Sequence, residues 1–112
     1  MASKAQKQER DRFMMIVGSE CGRQHLDNAE QLISIARRMN RLNELWANGD
    51  IDEATFERRD NALTKKAEAI AQDMGLKIDT QGDPRGYPLL LHFPSGEYNT
   101  WGGKEHGYGV PC

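Results

Sequence analysis

The sequence predicts an α+β fold, in which an N-terminal helix and an antiparallel helical hairpin precede a small two- or three-stranded antiparallel sheet. Composition changes near residue 75: residues 1–74 contain three glycines and no proline, whereas residues 75–112 contain eight glycines and all four prolines. Such a change is typical of helices followed by strands and turns. Before the change, apolar residues recur at steps of three and four, as they do on one face of a helix.

Length and composition limit the domain count and the class of protein. The 112 residues amount to about one domain, and residues 76–112 are too few to fold alone. We therefore predict a single domain, 1–112, made of a helical part (1–75) and a β-hairpin with a glycine-rich tail (76–112). The formal net charge of −2 excludes a generally basic nucleic-acid binder. The longest apolar run, Phe13–Val17, is far shorter than the ~20 residues of a membrane span, so we expect no membrane association.

Cysteine usage predicts the compartment. Cys21 and Cys112 are too few for a disulfide framework, and the polar first twelve residues lack the apolar segment of a secretory signal. We therefore expect reduced thiols, a cytoplasmic location and no cofactor. With His25 and His106, the two cysteines offer ligand types of a zinc site, and a small zinc-dependent protein is one alternative. We favour a structural Cys21, because it lies on an apolar helix face and no Cys-x-x-Cys is present.

Helical spacing predicts three helices. The first covers about residues 5–20, and the second begins near Asp27, which we expect to cap it, with Glu30 completing a capping box. The second ends at Asn48–Gly49, where the left-handed conformation is readily adopted. Asp52 then caps a third helix, which Gly75 terminates. The apolar stripes are Phe13, Ile16, Val17 and Cys21 in the first helix, Leu32, Ile35, Met39, Leu42 and Trp46 in the second, and Phe56, Leu63, Ala67, Ile70 and Met74 in the third.

The second and third helices are joined by a short turn and both carry a 3–4 apolar seam, so we expect them to pack antiparallel. The apolar seam of each helix is buried either against the other helix of the same chain or against a second copy of the chain, so a homodimer is one alternative. Ile51 and Phe56 match a hydrophobic staple at the start of the third helix. The stretch 42–59, LNELWANGDIDEATFERR, resembles the short C-terminal domain often called SHOCT. That resemblance implies a helical hairpin and oligomerisation, and no activity.

The C-terminal part predicts an antiparallel sheet. Leu76–Thr80 alternates as a first strand does, and Asp83–Gly86 has the residues of a type I turn. Tyr87–Phe93 is the second strand, with Pro88 at its start or at an edge. A Pro94–Gly96 loop leads into a returning strand, Glu97–Trp101. The odd-numbered residues Tyr87, Leu89, Leu91 and Phe93 fall on one face, and Leu90 and His92 on the other.

Residues 81–87, Gln-Gly-Asp-Pro-Arg-Gly-Tyr, with Gly75–Leu76 upstream, resemble a segment of small uncharacterised proteins of bacteriophages and related mobile elements. No catalytic residue comes with that resemblance. It implies an accessory protein, a class rich in inhibitors of host enzymes and defence systems. Because no coherent catalytic set is visible, we expect a non-enzymatic protein-binding module that binds, and inhibits, a host protein complex.

The candidate partner-binding residues lie in the C-terminal part, where arginine and aromatic side chains are the usual interface anchors. They are Arg85, Tyr98, Asn99, Trp101 and Tyr108. The competing interpretation is that Arg85 stabilises its own turn and that the aromatic residues cover the sheet.

A nucleic-acid-associated regulator is the other alternative, because basic residues cluster on two helices and a basic stripe can follow phosphates. These residues are Arg37, Arg38, Arg41, Lys65 and Lys66, with Arg58 and Arg59 nearby. Acidic residues interleave with them, which favours a solvated face of mixed charge.

Overall fold

The computed structural model of the protein describes residues 4–80, 88–94 and 96–99. Its helices are α1 (Lys4–Glu20), α2 (Leu26–Ala47) and α3 (Glu53–Met74), with a 3₁₀ turn, Arg23–His25, between the first two. Its strands are β1 (Lys77–Asp79), β2 (Leu90–Phe93) and β3 (Gly96–Asn99). The predicted α+β class, with a helical hairpin and a small antiparallel sheet, is confirmed.

The turn between α2 and α3 forms as the sequence predicts. Gly49 has a φ of 80°, in the left-handed region that favours glycine. The Oδ1 atom of Asp52 accepts a hydrogen bond from the backbone N–H of Thr55 at 2.8 Å, which caps α3. Gly75 ends α3 with a φ of 75°. Each of the two helices has 22 residues, or about 33 Å of length, against a longest dimension of 41 Å.

The start of α2 differs from the prediction. The helix begins at Leu26, two residues before the expected first helical residue, and His25 occupies the N-cap position without a capping hydrogen bond from its side chain to the backbone of the helix. The 3₁₀ turn runs directly into α2, so Asp27 lies inside the first turn, where its charge favours the positive end of the helix dipole. Asn28 reaches across to α3 and donates a hydrogen bond to Oδ2 of Asp73 at 2.8 Å. The N-terminus of α2 is thus joined to a partner helix, and the predicted capping box at Asp27 is wrong.

The core is built on the predicted seams. Its buried helical residues are Phe13 and Val17 of α1, Ala29, Leu32, Ile33, Ile35, Ala36, Met39 and Leu42 of α2, and Ala67, Ile70, Ala71 and Met74 of α3. Trp46 departs from its predicted seam position, since 45% of it is exposed. From Leu32 to Met39 the seam of α2 is buried within one chain, in a cluster that includes Ala67, Ile70, Ala71 and Met74 of α3. Among the described residues, no helix combines the length and the apolar character needed to cross a membrane.

The sheet covers the end of the hairpin that is remote from its turn. Strand order is β1-β2-β3, all antiparallel, with Ile78 opposite Leu91 and Leu91 opposite Tyr98. Leu89, Leu91 and Phe93 are buried while Leu90 and His92 are half-buried, which confirms the predicted alternation over residues 89–93, and Tyr87 lies outside the described residues. The ring of Phe93 meets that of Phe13 edge to face, with centroids 6.4 Å apart, so the sheet and α1 share one core.

The boundaries of the strands differ from the predicted ones, and β1 is one residue shorter at each end than the predicted Leu76–Thr80. Ladder pairing in β2 starts at Leu90, two residues after Pro88, which has no N–H to donate. Phe93 pairs with Gly96, so the hairpin link is two residues long and β3 begins one residue before Glu97. The predicted turn at Asp83–Gly86 lies outside the described residues.

Candidate functional site

An open groove lies between α2 and α3 near the turn that joins them. It has a volume of about 390 Å³, within the range of ligand-binding clefts. We name it the hairpin groove and define it by seven lining residues: Arg38, Arg41, Leu42 and Leu45 of α2, and Arg59, Ala62 and Leu63 of α3.

The groove exists because the seam is incomplete at this end. Leu42 is the last buried residue of α2 and Ala67 the first of α3, so the side chains closer to the turn are less well covered. Leu45 and Leu63 are half-buried, and Ala62 is exposed. Ala62 offers only a methyl group, which leaves space beside the larger leucines. The result is an apolar floor that faces solvent.

An aromatic pair stands at the turn end of the groove. Trp46 stacks on Phe56 with ring centroids 4.7 Å apart and an interplanar angle of 20°. Trp46 follows Leu42 by one helical turn, and Phe56 precedes Arg59 by nearly one turn, which places the stack next to the groove. This stacking joins the two helices next to the turn. A tryptophan held this way presents a large surface to solvent, as interface anchors do.

The charge of the groove is positive. Arg38, Arg41 and Arg59 are all exposed, and among the lining residues no side chain is acidic. Arg41 lies 3.6 Å from Glu44 in an exposed pair, and pairs of this kind contribute little. The guanidinium groups can therefore reach carboxylates or phosphates with bidentate geometry.

The predicted basic stripe separates into different surfaces. Arg38 and Arg41 line the groove, but Arg37 points elsewhere: partial burial, and then the charge of Arg10 on α1, lower its pKa from the usual value. Lys65 and Lys66 are exposed and do not line the groove. The structure thus brings Arg38 and Arg41 of the first basic cluster together with Arg59 of the second.

Asp60 is a half-buried carboxylate of α3 close to this site. Burial raises its pKa above the usual value, and no other cause contributes. Desolvation without compensation disfavours the charged form.

The Cys21 region does not assemble a metal site within the part of the chain that the structure describes. Cys21 is half-buried and packs against the core, and burial followed by the charge of Glu20 raises its pKa. The side chain of Asn28 lies 3.1 Å from Nδ1 of His25, between that ring and Asp73. Residues 4–80, 88–94 and 96–99 contain no group of three potential metal ligands. His106 and Cys112 lie outside these residues.

The predicted partner-binding residues fall mostly outside the described part of the chain. Arg85, Trp101 and Tyr108 lie outside the described residues. Tyr98 and Asn99 lie in β3, opposite Leu91 and Leu90 respectively, so the structure places them on an outer strand of the sheet.

Sequence reasoning missed the groove although its signal is present. Arg38, Arg41 and Leu45 are spaced by three and four, and Arg59 and Leu63 by four, so each set lies on one helical face. These faces flank the buried seam. What the spacing does not reveal is that both flanks open on the same side of the hairpin.

Comparisons with protein-family models, with curated proteins and with solved structures find no match to this chain. Function is therefore inferred from the chemistry and geometry of the hairpin groove.

Proposed function

We propose that this chain is a non-enzymatic protein-binding module and that its partner docks in the hairpin groove. The observation that carries the proposal is an apolar floor, formed by leucines and Ala62, bordered by three arginines and next to an exposed tryptophan. Aromatic and arginine anchors around a desolvated centre are the chemistry of protein interfaces. The groove lies at the opposite end of the hairpin from the sheet, so a partner can dock without disturbing the Phe13–Phe93 core.

A protein is favoured over a nucleic acid as the partner. Nucleic-acid binding relies on many cations placed along the phosphates, whereas this groove has three arginines around an apolar floor. Arg37 lies near Arg10, away from that floor. A nucleic-acid-associated regulator is thus the alternative that the experiment below must exclude.

The resemblance of residues 81–87 to small bacteriophage proteins supports a narrower form of the proposal. In that form the partner is a host protein complex, such as a defence system, and binding inhibits it in the bacterial cytoplasm by steric blocking. The rigid hairpin supports a steric mechanism, because both of its helices are anchored in one core.

Site-specific photo-crosslinking in host cells tests the proposal. A photoreactive residue at position 62 probes the groove, and the same residue at Ala69, another exposed alanine of α3 outside the groove, is the matched control. We expect one protein to be captured through position 62 and not through position 69. This capture must disappear in Arg59→Glu and persist in Arg58→Glu, which reverses an exposed arginine that does not line the groove.

Three outcomes contradict the proposal. They are capture of nucleic acid through position 62, equal capture through both positions, and capture that does not respond to Arg59→Glu. Circular dichroism of each variant confirms that the helices persist, so that a loss of capture reports on the surface and not on unfolding.

A further inference from the structure

We infer that the hairpin groove binds an amphipathic helical segment whose apolar stripe is flanked by acidic residues. The inference rests on the proposed function and specifies the chemistry of its partner. It follows from the shape of the groove, the position of its arginines and the poor fit of a second copy of the chain.

The shape of the groove fits two turns of a helix. Along α2 the lining runs from Arg38 to Leu45, a rise of seven residue steps or about 10 Å. A bound helix presents apolar anchors at positions i, i+3 or i+4, and i+7 over the same distance. Leu42, Leu45 and Leu63 provide the apolar surface on which such anchors pack. The adjacent Trp46–Phe56 stack extends that surface toward the turn.

The charges require acidic residues on the partner. Two of the lining arginines come from α2 and one from α3, so cationic groups border the apolar floor from both helices. Glu44 is the acidic group paired with Arg41, at 3.6 Å and in an exposed position. A partner that lacks carboxylates would desolvate these guanidinium groups without compensation, which opposes binding. A partner with Asp or Glu beside its apolar stripe instead forms charge-assisted hydrogen bonds.

A second copy of the chain fits less well. In a two-fold symmetric contact the same surface serves both subunits, so the arginine-bordered groove of one copy would face that of the other. Like charges placed opposite each other oppose association. The part of the seam from Leu32 to Met39 is also already buried within the chain, so a second copy would find only the groove itself to cover.

A displayed library of random peptides of about 15 residues, long enough to form a helix on the surface, tests the inference on the full-length protein. We expect the selected peptides to carry apolar residues at helical spacing with Asp and Glu beside them. Selected peptides are then synthesised, together with versions in which every acidic residue is replaced by lysine. Binding is followed through Trp46 fluorescence in a Trp101→Phe background, which leaves a single tryptophan.

The variants make the result specific to the groove. Arg59→Glu should weaken binding of the acidic peptide about tenfold or more, and Arg58→Glu should leave it within about twofold. The lysine versions should bind more weakly than the acidic peptides to the wild type and regain affinity for Arg59→Glu. Raising the salt concentration should weaken binding of the acidic peptide, because salt screens the attraction between exposed charges.

Several results would overturn the inference. In the selection, they are the recovery of basic or uncharged peptides, or of no peptide at all. In binding and light-scattering measurements, they are tighter binding of a DNA duplex than of the acidic peptides, and a doubled mass that Arg59→Glu abolishes. If a protein is crosslinked through position 62 while acidic peptides bind no better than lysine versions, the proposed function stands and this inference fails. If position 62 captures no protein, the proposed function fails whatever the peptides do.

Discussion

Asp52 shows how one side chain sets the boundary of an element. Its carboxylate accepts the N–H of Thr55, one of the amide groups that the first turn of a helix leaves without a partner. Hydrogen bonds from Thr55, first from its side chain and then from its backbone, lower the pKa of Asp52. The folded state therefore favours the charged form of this carboxylate.

Asp52→Ala should lower the Tm by a few degrees, because an N-cap is lost. Asp52→Asn should retain most of the stability, since Asn also caps well. Asp50→Ala, which changes an exposed neighbour, is the control. Thermal melts followed by circular dichroism measure all three, and an unchanged Tm in Asp52→Ala would contradict the capping role.

The pH dependence of the same cap has a definite sign. Because the pKa of Asp52 is lower in the folded state, its stabilising contribution is present above the unfolded-state value, about 3.9, and is lost as the pH falls through the folded-state value. The difference in stability between the wild type and Asp52→Ala should therefore shrink on acidification below about pH 4. Urea titrations at a series of pH values measure it.

Asp60 should behave in the opposite way. Burial raises its pKa in the folded state, so its contribution is most favourable below the unfolded-state pKa and is lost as the pH rises through the folded-state value. Asp60→Asn should be more stable than the wild type at pH 7, by about 0.5 kcal/mol or less, and the gain should vanish at low pH. Glu57→Gln, at an exposed carboxylate of α3, is the control; a gain that is independent of pH would contradict the role of charge.

At the scale of elements, replacing two glycines by alanine should change the free energy of unfolding in opposite directions. Gly75 ends α3 with a φ of 75°, so Gly75→Ala should destabilise the protein by about 1 kcal/mol through backbone strain. Gly18 lies inside α1, where an added Cβ would meet Leu26 Cδ2 at an ordinary 3.6 Å. Gly18→Ala should stabilise by up to about 1 kcal/mol. Urea denaturation of both variants measures the pair, and a shift of the same sign in both would contradict this assignment.

The elements themselves could largely be predicted from the sequence, because their signals are local. Asp52 and Gly75 act through their own backbone, and the 3–4 spacing identifies the buried faces. The start of α2 could not be predicted in this way, because Asn28 in its first turn bonds to Asp73, a residue 45 positions away. The prediction that Trp46 belongs to the buried seam is also wrong. The 3–4 spacing continues to Trp46, but the buried part of α2 ends at Leu42, and spacing alone does not show where burial ends.

The candidate site could be predicted only in part, because it depends on how two helices face each other across the whole molecule. Arg37 and Arg38 are adjacent in sequence yet differ by about 100° around the helix, so one lies near α1 and the other in the groove. Charge clustering along the sequence cannot separate them. The packing of α1 separates the two arginines, because α1 covers the side of the hairpin that carries Arg37 and leaves the groove beside Arg38 open.

The shared core predicts that the molecule unfolds as one unit. Phe13 is fully buried and meets Phe93 of the sheet, so Phe13→Ala should cost about 3–5 kcal/mol, a large share of the stability of a small domain. Circular dichroism and Trp46 fluorescence in the Trp101→Phe background should report one common transition. Met15→Ala, at a residue of α1 that is 71% exposed, is the control and should change little; separate transitions would indicate that the hairpin is independent of the sheet.

The order of the elements along the chain has a consequence for synthesis. Contacts within the α2–α3 hairpin are close in sequence, and such contacts form quickly, so we expect the hairpin to assemble as soon as residue 75 has left the ribosome. Leu89, Leu91 and Phe93 emerge later, and until then the nascent chain exposes the surface of Phe13 and Val17 that they help to cover. A stalled chain that ends at the hairpin should therefore attract chaperones, which release it once the strands have been translated.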